Sequence, residues 1–496
     1  KAMARIAAPV ATAATWSVAR PVRDALRAAG FDGTRAAGSG GKREITVARF
    51  APRFVPRATP RRSGSAYAPH GDRVVIVGGG LSGCATAWAL AEQGIASLLF
   101  ERGSTIAGEG SGNAAGLFHG VVHRDDGRHA RFNRAAALEA RRQVVIATEE
   151  HGVDGGTDGL LRLEAEAMSL ADMRATVARL GLPIDYVRVV TAEEASSLAG
   201  VTIDTPAWFY PRGGWVDPRG LARSFLARAA DRVDVRLGVD IASLQHGADE
   251  RWLLFDADGR ELASARTVVL ANAGAAAGLL EASGWPIERR RGQISASAAS
   301  SWAGVPRPRL PIAGAGYVLP PIDGQIWFGA TSQTDDGDLT LRRDDQCRNL
   351  DRLARLLAMA PSLDVDDLRG RVSFRYVAVD RLPLVGAVPV SALGARLRHG
   401  LAADESARPE QPRFAPRAPG LFVFTALGSR GIAWSALGAQ VVASAISGAP
   451  APLEADLLDA IDPARFASRL FRRAGAATAG RPQRPEGPMA AGSAPA

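Results

Sequence analysis

The stretch from Arg73 to Leu90 narrows the choice of fold more than any other part of the chain. It reads Arg73-Val-Val-Ile-Val-Gly78-Gly79-Gly80-Leu-Ser-Gly83-Cys-Ala-Thr-Ala-Trp-Ala-Leu90. Four β-favouring apolar residues, a glycine cluster and a run of small apolar residues spell a buried strand, a tight turn and a helix. Gly78, Gly80 and Gly83 stand in the spacing GxGxxG. In a dinucleotide-binding fold the first glycine permits the turn, the second lets the backbone approach a pyrophosphate and the third lets helix pack on strand. The anion then sits at the positive end of the helix. A second strand, Ser97 to Phe100, leads into Glu101, 23 residues after Gly78, where a carboxylate can accept hydrogen bonds from ribose hydroxyls. Val74 to Ala91 carries no charge and approaches the length of a bilayer helix. Its four glycines argue against a membrane span.

With 496 residues and an apolar fraction of 47%, the chain can fill more than one core. The net charge of +9 is concentrated in residues 1 to 70, which include Arg49, Arg53, Arg57, Arg61 and Arg62. Such a segment suits either a phosphate backbone, through counterion release, or plain solvation. Residues 1 to 50 contain an apolar run (Ala11 to Val18), a helical pattern (Arg20 to Ala29), a glycine turn (Gly38 to Gly41) and a strand (Glu44 to Phe50), the closing elements of an α/β domain. Residues 51 to 71 form a Pro/Arg-rich linker. From 72 to about 470 strands and helices alternate, with more strand character at 288–298 and 310–332, as expected for a cofactor domain with an interleaved substrate domain. Residues 471 to 496 have no apolar period and are expected to be disordered. The chain begins at Lys1 and reads as a cut through a longer protein. Two cysteines, Cys84 and Cys347, are too few for a disulfide framework or a metal cluster, so no metal is expected and a reducing cytoplasmic compartment fits.

Several further motifs carry a family resemblance. Gly108-Glu-Gly-Ser111-Gly112-Asn113-Ala-Ala-Gly116 looks like the loop that wraps the flavin in amine oxidases. Thr267-Val-Val-Leu-Ala-Asn-Ala-Gly274 resembles the late strand and small-residue turn of flavoproteins of the glutathione reductase type. Arg291-Gly-Gln293, Gly329-Ala-Thr331, Arg371-Val-Ser-Phe-Arg375, Asp380-Arg-Leu-Pro-Leu-Val-Gly386 and Ala426-Leu-Gly428-Ser429-Arg430-Gly431 complete the set. Together they resemble the bifunctional tRNA 5-methylaminomethyl-2-thiouridine biosynthesis family. The resemblance implies an α/β fold: an FAD-binding Rossmann-like domain of the glutathione reductase or D-amino acid oxidase type with an inserted α+β substrate domain.

What the resemblance implies about function is equally specific. The family's oxidoreductase half holds FAD and removes the carboxymethyl group from 5-carboxymethylaminomethyluridine at the tRNA wobble position, leaving the aminomethyl group. Its other half binds S-adenosylmethionine through an early strand and glycine loop. Nothing upstream of residue 71 supplies either, so this chain is not expected to methylate unaided. Cofactor contacts are expected from Gly78, Gly80, Gly83, Glu101, Ser111, Gly112, Asn113, Gly116, Gly274, Gly428, Ser429, Arg430 and Gly431. Arg375 is expected to bind the substrate carboxylate, unless it is spent on an ion pair with Asp380. His119, His123 and Tyr317 are candidates for neutralising the substrate amine. Leu117-Phe-His-Gly120 departs from the family's commoner aromatic-proline run. Two other readings stand beside this one at this point: an oxidase of small free amines of the glycine or D-amino acid oxidase type, and a tRNA-binding module whose flavin is structural.

Overall fold

The computed structural model describes residues 7, 11–38, 40–52, 72–164, 168–282, 284–334, 336–359, 361–398, 401 and 410–479. It divides into two compact units, Lys1–Arg61 and Arg62–Ala496. From residue 53 on, the expected linker lies outside the described residues, as does the expected tail beyond 479.

The first unit holds a three-stranded antiparallel sheet in the order Thr12–Thr15, Glu44–Phe50, Phe31–Ala37. The helix Arg20–Ala28 precedes its second strand. Phe31 and Phe50 meet ring to ring at 4.9 Å and with Ala48 form its buried core. The strand expected at the closing end and its hairpin partner are both present.

The second unit is built on a six-stranded sheet in the order Val233–Leu237, Ser97–Glu101, Val74–Val77, Val268–Leu270, Arg417–Thr425, Leu384–Pro389. The first five run parallel and the last is antiparallel. Val74–Val77 is buried throughout, as a central parallel strand covered on both faces should be. One face packs against the helices Leu81–Glu92, Arg128–His151, Pro218–Ala229 and Gly431–Ser447. The other packs against a small antiparallel sheet, Ser243–His246, Trp252–Phe255 and Glu261–Ala265. Small residues let the first helix lie between two others: Leu81 to Leu90 are all buried, and Trp88 packs on Phe225 at 5.2 Å. Gly83 is obligatory here, because a Cβ would stand 1.8 Å from the Gly78 carbonyl oxygen.

A nine-stranded sheet forms the second layer. Along it run Gln333–Thr334, Ile287–Ala298, Gln325–Gly329, Tyr317–Val318, Ile312–Ala313, Leu160–Arg162, Ala207–Tyr210 and Arg188–Val190, and Arg369–Ala378 pairs with Ile287–Ala298. The strand-rich stretches expected at 288–298 and 310–332 belong to this sheet. Alternation along Ile287–Ala298 sends Arg291, Gln293 and Ser295 into a buried polar strip. Arg291 meets Asp345 at 2.5 Å with both side chains out of solvent, and Asn349 donates to the Gln293 carbonyl and Ser295 hydroxyl at 3.0 and 2.8 Å. The opposite face, with Gly292, is left for the neighbouring layer.

Asp380 follows the strand that carries Arg375, but it does not pair with Arg375. It accepts two hydrogen bonds of 2.9 Å from Arg465 and lies 2.7 Å from Arg469. Burial alone would raise its pKa, but bonding and charge from these two arginines outweigh burial and hold the carboxyl below its ordinary range. Removing one partner of such a pair strands the other's charge, at a cost of about 3–5 kcal/mol. Asp380→Ala is therefore expected to lower the urea midpoint sharply with an unchanged slope. An unchanged midpoint would show the pair to be dispensable.

The C-terminal helix, Arg465–Ala479, runs past the boundary expected at 471. Its first turn is anchored by buried Arg465 and Phe466. The Ala- and Arg-rich sequence that follows has high helix propensity, and Arg472 donates to the Glu410 carbonyl.

Candidate functional site

A cavity of about 450 Å³ opens in the second unit, walled by both large sheets and by the first turns of two helices. On the cofactor-sheet side lie Gly78, Gly80, Leu81, Glu101, Ser111, Asn113, Gly116, Asn272 and Gly428 to Ala433. On the other sheet's side lie Arg162, Ala313, Tyr317, Gly329 and Arg375. Gly78 has φ +106 and a Cβ there would press to 2.7 Å on the Ala271 carbonyl oxygen, so turn and close approach both require glycine. The first-turn backbone amides of the helices Leu81–Glu92 and Gly431–Ser447 make two positive corners of the wall.

The local bonds shape this wall before any ligand arrives. Glu101 accepts the Gly79 amide at 2.6 Å and the Gly103 amide at 2.7 Å. A carboxylate has about four acceptor positions, so it can still receive ribose hydroxyls. Leu81 donates to the Ser111 hydroxyl at 3.2 Å. The Asn113 and Asn272 side-chain oxygens are buried with no hydrogen-bond partner among the described residues. Orphaned oxygens in a polar cavity are what a hydroxyl- or amide-rich ligand satisfies.

Three of the expected cofactor glycines do not line the cavity. Gly83 lies behind the turn, as described. A Cβ at Gly112 would meet the Arg371 guanidinium at 2.6 Å, and one at Gly274 would meet the Tyr376 ring at 1.9 Å. These two allow neighbouring side chains to pack close to the wall. His123 is also outside the wall; it stacks on His129 with centroids 5.2 Å apart. The other expected residues, Arg375, His119 and Tyr317 among them, come together.

Electrostatics differ at each candidate. Arg375 makes one long contact, 3.5 Å to the Thr331 carbonyl, and burial pulls its pKa down. Its guanidinium lies over Gly292, where a Cβ would approach to 2.8 Å. Tyr317 is pushed up by burial, with Arg375 opposing. His119 sits with Nδ1 2.5 Å from the Gly120 carbonyl; burial, then Arg430 and Arg162, push its pKa well below the ordinary value. It is thus a neutral imidazole that resists protonation. Burial, then Arg162, lowers Arg430 to about 10.

Arg162 was missed in the sequence. It interrupts the apolar run Leu160-Leu161-Arg162-Leu163, and an arginine inside a buried strand is the signal that could have found it.

The layers and glycine turn define an FAD-dependent oxidoreductase: residues 73–445 match the family described as FAD dependent oxidoreductase. Residues 1–51 match an S-adenosyl-L-methionine-dependent methyltransferase family. Glycine oxidase from Geobacillus kaustophilus shares the fold at a TM-score of 0.59 with 21% identity, over 79% of this chain and 98% of that one. Iminodiacetate oxidase from Chelativorans sp. does so at 0.57 with 22% identity, over 79% and 99%. The tRNA 5-methylaminomethyl-2-thiouridine biosynthesis bifunctional protein MnmC of Methylibium petroleiphilum is 47% identical over 487 residues, 95% of this chain and 71% of that protein. Its namesake in Burkholderia thailandensis is 41% identical over 478 residues, again 95% and 71%. The chain belongs to this bifunctional family. Among the described residues, no helix is long and apolar enough to cross a membrane.

Proposed function

We propose that this FAD-dependent oxidoreductase acts in the cytoplasm on tRNA, removing the carboxymethyl group from 5-carboxymethylaminomethyl-(2-thio)uridine at the wobble position to leave the aminomethyl nucleoside. The observation that carries the reading is Arg375: a half-buried guanidinium in the cavity wall, beside Tyr317, with Asp380 committed elsewhere. The substrate's arm is an N-substituted glycine. Its carboxylate suits the planar fork of an arginine, which can grip it with two parallel hydrogen bonds.

The residues present fit FAD. Gly78, Gly80 and the first turn of Leu81–Glu92 would hold its pyrophosphate, and Glu101 its ribose. Ser111, Asn113 and Gly116 would flank it. The amides from Gly428 to Gly431 would face the electron-rich end of the ring. Bound FAD supplies the two-electron acceptor for amine oxidation. The chain's own part is to fix the substrate's α-carbon by its carboxylate and to exclude water around it. Hydrolysis of the resulting imine gives glyoxylate and the aminomethyl nucleoside.

The amine must be neutral to be oxidised. Tyr317 and His119 are poorly suited to accept its proton, since burial raises one and depresses the other. Arg162, Arg375 and Arg430 disfavour an ammonium ion in the same cavity. kcat/KM should therefore rise with pH along the ionisation of the substrate amine, without an inflection in the range of an ordinary histidine. An inflection near pH 6–7 that disappears in His119→Gln would restore the histidine as base.

The decisive experiment is mass spectrometry of nucleosides from hypomodified tRNA incubated with the purified FAD-loaded chain. Conversion of the carboxymethylaminomethyl peak to aminomethyl is expected. Peroxide from free glycine or sarcosine with no change in tRNA would favour the small-amine oxidase.

A further inference from the structure

Arg162, Ala313, Tyr317 and Gly329 occupy successive strands of the nine-stranded sheet. Arg162 pairs with Ala313, Ala313 with Tyr317, and Tyr317 with Gly329. Directly paired residues point to the same face, and all four line the cavity. Ala313 and Gly329 are small, so the row is a floor with cations near both ends: Arg375 beside Tyr317, and Arg162 two strands away. Two inter-strand spacings place the Arg162 and Tyr317 backbones roughly 10 Å apart.

The Arg162 end is furnished for an anion. Arg430 reaches the same neighbourhood, near enough for Arg162 to disfavour its charge and for both arginines to disfavour that of His119. Among the described residues, neither guanidinium has a carboxylate partner or any hydrogen bond. Tyr210, in the strand next to Arg162, packs against His119 at 5.3 Å. Its hydroxyl is buried without a hydrogen-bond partner among the described residues. Two uncompensated arginines and an orphaned hydroxyl exceed what one carboxylate, already matched to Arg375, requires.

Resting on the tRNA reading above, we infer that Arg162, with Arg430 and the Tyr210 hydroxyl, forms a second anion subsite that takes a phosphate of the modified nucleotide itself. In an anti pyrimidine nucleotide, the 5-substituent and the 5′-phosphate lie on the same edge, so one molecule can present a carboxylate and a phosphate to the two ends of the floor. The oxidoreductase site then reads a nucleotide rather than an amine with a uracil attached.

The test compares the FAD-loaded chain on 5-carboxymethylaminomethyluridine and on its 5′- and 3′-monophosphates. One phosphate should raise kcat/KM over the nucleoside by about tenfold or more, mainly through KM, and the preferred isomer identifies the phosphate read. Arg162→Gln should bring that ratio towards unity, while Arg162→Lys retains part of it. Inorganic phosphate, titrated calorimetrically, should bind wild type more tightly than Arg162→Gln. Equal kcat/KM for nucleoside and both monophosphates in wild type would overturn the subsite without needing a variant. Oxidation of none of the three, with free glycine oxidised instead, would overturn the tRNA reading beneath it.

Discussion

Arg375→Ala should lower kcat/KM on carboxymethylaminomethyl tRNA by at least about thirtyfold while the protein stays folded and yellow. Losing one partner of a desolvated charge pair costs roughly 2 to 5 kcal/mol, or about thirtyfold to several thousandfold. In the proposed role the partner is the substrate carboxylate, since Asp380 is bonded to Arg465 and Arg469. Truncating Arg375 therefore strands no internal acid, and stability should not fall with activity. Arg375→Lys should recover little, since an ammonium lacks the fork. Arg375→Ala with near-normal efficiency, or with its flavin lost and its fold melted, would remove the carboxylate role.

Gly80→Val should yield a folded but colourless protein, with FAD affinity down by more than about a hundredfold, roughly 2.7 kcal/mol. Gly80 caps its helix at φ −77 and ψ −174, an extended conformation open to any residue, so the substitution adds no backbone strain. A Cβ would stand 3.3 Å from the Ser111 hydroxyl, and a branched side chain would occupy the wall where the pyrophosphate is proposed to lie. Gly83→Val provides the contrast: its Cβ meets a backbone oxygen at 1.8 Å, so folding itself should fail. Circular dichroism with flavin absorbance separates the outcomes. A yellow Gly80→Val protein with normal flavin content would move the pyrophosphate elsewhere.

What was legible in the sequence was local. The strand Val74–Val77, its turn and helix are set by spacing over a score of residues, and Glu101 by the length of one βαβ step. The loop from Gly108 to Gly116 and the turn from Gly428 to Gly431 were equally readable as short motifs. Contacts made by register were not. Arg162 and Tyr317 come onto one face through two successive strand pairings, the first of which joins Arg162 to Ala313, more than a hundred residues further along the chain. The choice between Arg375 and Arg465 as the partner of Asp380, 85 residues from Arg465, depends on where a terminal helix docks. Gly112 and Gly274 have a packing reason for being glycine that spacing cannot distinguish from a ligand's: they make room for Arg371 and Tyr376.

The pairing of Asp380 with Arg465 and Arg469 also bears on what counts as one working part. The family match closes at residue 445, within the helix Gly431–Ser447, and among the described residues none beyond 433 lines the cavity. Yet the strand that carries Arg375 ends at Ala378, two residues before a carboxylate whose countercharges come from 465 and 469. An excision at the edge of the matched segment would keep every cavity residue and release that strand's only described ionic moorings. The smallest autonomous catalytic piece is thus longer than the segment shared with the wider oxidoreductase family, and its far boundary is set by a guanidinium that never touches the reaction.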